Sequence, residues 1–139
     1  MQDTIQKRLG QIMPYLLKTE PNEYSFERLQ TDRETLWDGV SNPVALKNLR
    51  SMKANDKLVI YHTGDERRAV GAATVKRVEI SDSKTPSVWI AVGHPIGRPK
   101  SLAEIKNSAL FSASPLVTQG RLSVVPLDER QYKWLVGES

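Results

Sequence analysis

Hydrophobic and polar positions along this chain fall into short segments of differing period, and these segments predict the elements. Tyr15-Leu16-Leu17-Lys18 is a brief apolar run closed by Pro21 and Asn22, the pattern of a buried strand. Ser25 then stands as an N-cap for a short helix through Leu29. Asn42 and Pro43 supply a cap and a first helical residue, and Ala45, Leu49 and Met52 recur at helical spacing up to Lys53.

Leu58 to His62 and Ala69 to Ile80, joined by Thr63-Gly64-Asp65-Glu66, predict a long hairpin, and Val88 to Val92 a further strand after the loop Ser81 to Ser87. Ser101 and Glu104 form a capping box for a helix to about Ser108. A loop at Ser112 to Pro115 leads to a strand at Arg121 to Val125. Asp128 caps a last helix that carries Tyr132, Leu135 and Val136 and stops at Gly137. Short turns between the central strands favour antiparallel pairing. The architecture expected is α+β: a curved mixed sheet or barrel flanked by short helices.

Ile5, Leu9 and Ile12 are spaced for one amphipathic turn at the head of the chain. Residues 1–12 are expected to be an extension, with Met13 an alternative start, and residues 13–139 a single domain. Its 139 residues, 39% hydrophobic, are enough for a core without disulfides or a metal. With neither a secretory h-region nor a membrane-length apolar stretch, the expectation is a soluble protein. The absence of cysteine suits a reducing cytoplasm, the localisation expected here.

Charge adds a weak preference. A net +4 favours polyanions slightly, and between Arg67 and Lys106 eight basic residues stand against three acidic ones. That stripe reads equally well as a phosphate-facing surface or as ordinary solvated strands.

Catalytic chemistry finds few parts. His62 alternates with Leu58 and Ile60 and reads first as a structural imidazole; His94 precedes Pro95 in an expected loop. No metal-ligand spacing, phosphate-cradling glycine loop or nucleophile elbow occurs, so neither metal nor cofactor is implied. Base recognition needs other parts: an aromatic wall, main-chain groups for the base edge and cations for the backbone. Trp37, expected in a loop before Asp38-Gly39, is the candidate wall, although core packing is the stronger reading of that residue taken alone. Trp89 and Trp134 read as packing. Lys18 beside Glu20 reads as one half of an ion pair or as a cation aimed at a ligand.

Three blocks taken together resemble the EVE domain, a PUA-like family related to the YTH domains and to thymocyte nuclear protein relatives. They are Leu16-Leu17-Lys18-Thr19-Glu20-Pro21, Trp37-Asp38-Gly39-Val40-Ser41-Asn42 and Arg121-Leu122-Ser123-Val124-Val125-Pro126, with Met52 to Asp56, Tyr61-His62-Thr63 and Val70-Gly71 between them. The resemblance runs from about Pro14 to Val136. It implies a PUA-like barrel with a pocket near the first strand, in which Trp37 stacks on a base and Asp38 and Val40 meet its edge.

The same resemblance places Lys18 and Thr19 in the lining, Asn42 as an amide donor, and Arg121 and Ser123 near phosphate or the pocket mouth; His62 joins this set from the middle block. Departures from the family pattern are Pro14-Tyr15 without a tryptophan, Ser41 in place of an arginine, and Pro43 to Leu46 in place of Tyr-Gln-Ala-Arg. The resemblance implies a non-catalytic module, expected to be monomeric. Its partner would be nucleic acid carrying a modified base, DNA first and RNA as the alternative. A small enzyme acting on a base through Lys18, Asp38 or His62, and a peptide- or metabolite-binding module, are the competing readings.

Overall fold

A computed structural model describes residues 12–80 and 85–138. The expected turn of helix at Ile5 to Ile12 falls outside that range except for Ile12, which is exposed. The first strand, β1 (Pro14–Thr19), is buried over its first four residues because it has neighbours on both sides. It runs parallel to β3 (Lys57–His62) and antiparallel to β6 (Val124–Pro126). An unbroken apolar run is what such a doubly flanked strand needs.

Helix α1 (Phe26–Asp32) starts where Ser25 Oγ accepts the Arg28 amide at 3.0 Å, and it buries Phe26 and Leu29. It ends at Arg33, whose φ of 71° reverses the chain into β2 (Glu34–Trp37). Trp37 is therefore the last residue of an edge strand, opposite Val88, and not a loop residue as expected. Helix α2 (Pro43–Arg50) is held at its start by Asn42 Oδ1, which accepts from the Val44 and Ala45 amides. It stops three residues short of Lys53. There Asp56, fully buried, accepts from the Lys53 and Met13 amides at 2.8 and 3.0 Å and ties the turn to the start of β1.

The hairpin of β3 and β4 (Arg68–Glu79) forms as expected, with a bulge between Ile60 and Tyr61. Gly71 on β4 is required by packing: a Cβ there would sit 2.2 Å from Phe26 Cε1. Strand β5 (Ser87–Ser101) is much longer than the expected Val88 to Val92, running through Gly93-His94-Pro95 with three register shifts against β4. Those irregularities let two prolines sit inside a strand, and they place His94 on an exposed strand position.

Ser101 closes both halves of its capping box on α3 (Leu102–Asn107); a 3-10 turn (Ala109–Phe111) and α4 (Pro115–Thr118) then flank the expected loop, which α4 overlaps only at Pro115. Helix α5 (Glu129–Val136) has its own capping box at Asp128 and Gln131 and ends on Gly137 at φ 84°. Trp134 packs edge-on against Phe111 at 5.4 Å, as expected of a packing indole. Trp89 differs: it is half-buried, with the Arg77 guanidinium 4.6 Å above its ring.

The six strands lie in the order β2-β5-β4-β3-β1-β6. The sheet is mixed and curved, with β2 and β6 as its two edges, so the barrel alternative is corrected: the sheet stays open. Closure would need β2 and β6 to pair, and each instead has one partner strand.

Candidate nucleic-acid interface

The C-terminal ends of β1 and β2 diverge around a cleft of about 450 Å³. One side is formed by Lys18 and Thr19 with the turn after them, the other by Thr35 to Trp37 with Asp38, Gly39 and Val40; Ser123 completes the rim. The turn is fixed by the Glu20 carbonyl, which accepts from the Glu23 and Tyr24 amides at 2.8 and 2.9 Å. Thr19 Oγ1 donates to the Tyr24 carbonyl at 2.7 Å and holds that tyrosine over the cleft.

Trp37 is 8% exposed and belongs to the core, yet it lines this cleft. The core-packing reading of Trp37 therefore holds, and the same residue borders the cleft. Tyr24 meets it edge-on, ring centroids 6.2 Å apart at 86°. The Tyr24 hydroxyl donates to Asp32 at 2.9 Å, and burial raises its pKa above the ordinary phenol value. Together the two rings make an aromatic corner of fixed geometry.

Beside the corner the chain leaves β2 through Gly39 at φ 79°, a backbone conformation suited to glycine. Among the described residues no hydrogen bond engages the main chain of Asp38, Gly39 or Val40. Asp38 and Gly39 are exposed and Val40 half-buried, so these main-chain groups are met by solvent, which a ligand's edge beside the indole can displace.

Lys18 reaches away from Glu20. Its Nζ donates to the Gly120 carbonyl at 2.7 Å and lies 5.8 Å from the centre of the Tyr61 ring, while its backbone amide donates to the Ser123 carbonyl. Of the two readings of Lys18, the ion pair with Glu20 does not form; Glu20 accepts from the Asn22 amide instead. Burial holds the Lys18 ammonium below its ordinary pKa. The cleft therefore has one lysine against the carboxylates of Glu20, Glu23 and Asp38.

Six of the nine residues expected at the site come together here: Lys18, Thr19, Trp37, Asp38, Val40 and Ser123. Asn42 does not, because its side-chain oxygen is taken up in capping α2. Arg121 lines, with Asn42, a shallow groove next to the cleft. His62 is 3% exposed inside the sheet, where Nε2 accepts from the Phe26 amide and Nδ1 donates to Glu66, both at 3.0 Å. With both ring nitrogens engaged, it acts as a strut between α1 and the turn before β4.

His62 thus stands apart from Lys18 and Asp38, which line the cleft. Among the described residues no three His, Cys, Asp or Glu side chains gather as a metal site. Tyr24, Glu23 and Thr35 were missed by sequence reasoning. The one signal for Tyr24 was an aromatic residue in the turn directly after the first block.

Fold and cleft define a small α+β domain organised around an aromatic corner at the ends of two strands. The chain belongs to the EVE domain family, whose model matches residues 14–138. A protein from Agrobacterium tumefaciens is 30% identical, with a TM-score of 0.83 over 90% of this chain and 91% of its own. A hypothetical protein from Leishmania major is 26% identical, with a TM-score of 0.84 over 91% and 94%. The human THYN1 protein, solved in complex with DNA containing 5-methylcytosine, shares the fold at a TM-score of 0.80 and 23% identity over 90% and 96%. No curated protein matches the chain by sequence.

Proposed function

We propose that this protein binds nucleic acid and holds one extruded, modified base in the cleft between β1 and β2, with DNA as the polymer. The observation that carries the reading is that Trp37, largely packed, borders the cleft together with Tyr24 and with the unengaged main chain of Asp38, Gly39 and Val40. An aromatic face stacks on any base, whereas main-chain donors and acceptors discriminate among base edges. The carboxylates around the cleft suit a base that offers an exocyclic amine and disfavour phosphate. Membership of the EVE family, and a human protein of the same fold in complex with methylcytosine DNA, support this assignment.

The test is a panel of oligonucleotides, each with one cytosine, 5-methylcytosine, 5-hydroxymethylcytosine or N6-methyladenine, in DNA and RNA form, titrated against wild type and Trp37 variants. One modified base is expected to bind tighter than its parent. Loss of stacking is worth about 1–3 kcal/mol per base, a roughly 5- to 150-fold drop in affinity. Because Trp37 is also packed, Trp37→Ala should lower stability by about 3–5 kcal/mol; Trp37→Phe retains a smaller ring and separates the two effects. Equal affinity across the whole panel would remove the reading, and preference for the RNA form would change the polymer.

A further inference from the structure

Past Lys18, on the side away from the aromatic corner, lies a second depression of about 220 Å³. Lys18 is shared between the two cavities, and Gly120, whose carbonyl accepts from it, lines the second. The other charged residues around the second depression are Arg67 and Lys106; no carboxylate lines it. Among the described residues none of these three cations is ion-paired, although seven ion pairs form elsewhere. Three like charges with one carboxylate, that of Glu20, against Gly64 at the border leave a net positive depression, and an anion placed between them relieves their repulsion.

Arg67 is also held in an unusual way. Its φ is 45°, a left-handed backbone that side-chain-bearing residues seldom adopt. Two contacts keep it there: Nε donates to the Gly64 carbonyl at 3.2 Å, and the Arg67 carbonyl accepts from the Leu102 amide at 2.8 Å. The root of the guanidinium is thereby anchored, while its two terminal nitrogens form no hydrogen bond among the described residues. Lys18 spends one of its three N–H donors on Gly120. Leu116 and Val117 give the depression an apolar wall, as a sugar ring would require.

We propose that this depression is the subsite for the phosphodiester adjoining the base held beside Trp37, with Arg67 and Lys106 taking the phosphate oxygens and Lys18 bridging base and backbone. This rests on reading the aromatic cleft as a base site. The two cavities would then divide one nucleotide step between them.

The test compares wild type with the double variant Arg67→Gln/Lys106→Gln, both positions being exposed, and with Lys106→Gln alone, which leaves the Arg67 bond to Gly64 intact; thermal unfolding of each variant checks that the fold is kept. The probes are single-stranded DNA 9-mers carrying 5-methylcytosine, cytosine or an abasic site at the centre, and free 5-methyldeoxycytidine 5′-monophosphate, each at two salt concentrations. The double variant is expected to weaken on all three 9-mers alike, and the slope of log affinity against log salt should shrink by about 1.4, some 0.7 for each lost contact on a single strand. The ratio of methylated to unmethylated affinity stays as in wild type.

An unchanged salt slope and affinity would overturn the subsite. If wild type fails to discriminate among the 9-mers while the slope still falls in the variant, the subsite stands and the base reading is lost. If the free monophosphate binds as tightly as the strand and loses affinity in the variant, the pocket takes a terminal phosphate, and the phosphodiester assignment is overturned. No binding of any 9-mer overturns both.

Discussion

The two cavities flanking Lys18 have opposite lining chemistry. Apart from the shared Lys18, one carries an aromatic corner and three carboxylates, the other Arg67 and Lys106 with Tyr61 and an aliphatic wall. Their residues come from interleaved parts of the chain, and β1 ends between them. On the proposed assignment, charge in this molecule sorts ligand groups and does not simply attract polyanions: the carboxylates of one side disfavour a phosphate and the cations of the other favour it. Net charge could not reveal this, since +4 over the whole chain averages the two surfaces.

The contrast should collapse most severely when its shared residue is changed. Lys18→Met keeps the aliphatic stem and removes the charge, and should weaken oligonucleotide binding by roughly 10- to 150-fold, the worth of about 1.5–3 kcal/mol for a charged hydrogen bond. It should also lower selectivity for the modified base, because the group joining the two sites is gone; a titration on methylated and plain 9-mers measures both. Loss of affinity with full selectivity retained would show that Lys18 serves only the backbone.

A smaller and opposite effect probes the acidic side. Glu20→Gln/Glu23→Gln/Asp38→Asn removes the negative charge of the cleft, so unmodified and abasic strands should bind a few-fold tighter at low salt and the gain should vanish at high salt. Unaltered affinity for the abasic strand would mean that the carboxylates do not steer the backbone.

The smallest effect concerns the turn that presents Arg67. The His62 hydrogen bond, helped by Arg68, holds the Glu66 carboxyl below its ordinary pKa. A lowered folded-state pKa contributes stability above the unfolded value and loses it as pH falls through the folded one. Thermal unfolding should therefore show a modest acid-side loss, starting near the ordinary carboxylate pKa and continuing below it, that Glu66→Gln flattens. Glu66 is more than a third exposed, so solvent screens much of this contribution.

Much of the architecture was legible because its signals are local. Ser25, Asn42, Ser101 and Asp128 all cap the helices expected of them, and the β3–β4 hairpin follows from its turn and β-branched content. Edge strand β2 escaped because it is only four residues long, begins with exposed Glu34, and takes its pairing from β5. The far half of β5 escaped because Gly93, Pro95 and Pro99 resemble loop residues until bulges against β4 accommodate them.

At the site, Lys18, Trp37 and Ser123 were found through their motif blocks, while Asn42 and His62 were already committed to a cap and a strut. Tyr24 was invisible for a different reason. A turn residue has no periodicity, and only the Thr19 and Glu20 contacts that fold the turn back place its ring beside Trp37. Whether the sheet closes depends on the meeting of its two edges, which no local pattern encodes.

Because Lys18 and Ser123 meet through a backbone hydrogen bond, and Lys18 and Gly120 through a side chain across 102 positions, the ring-lined cavity is incomplete until the last strand has docked. A chain emerging during synthesis would display Trp37 long before Ser123 exists, and this cavity stays unfinished until Ser123 has been made. A guest that spans this seam fastens the first strand to the last, so occupancy protects the whole domain from unfolding and not merely the rim where it sits.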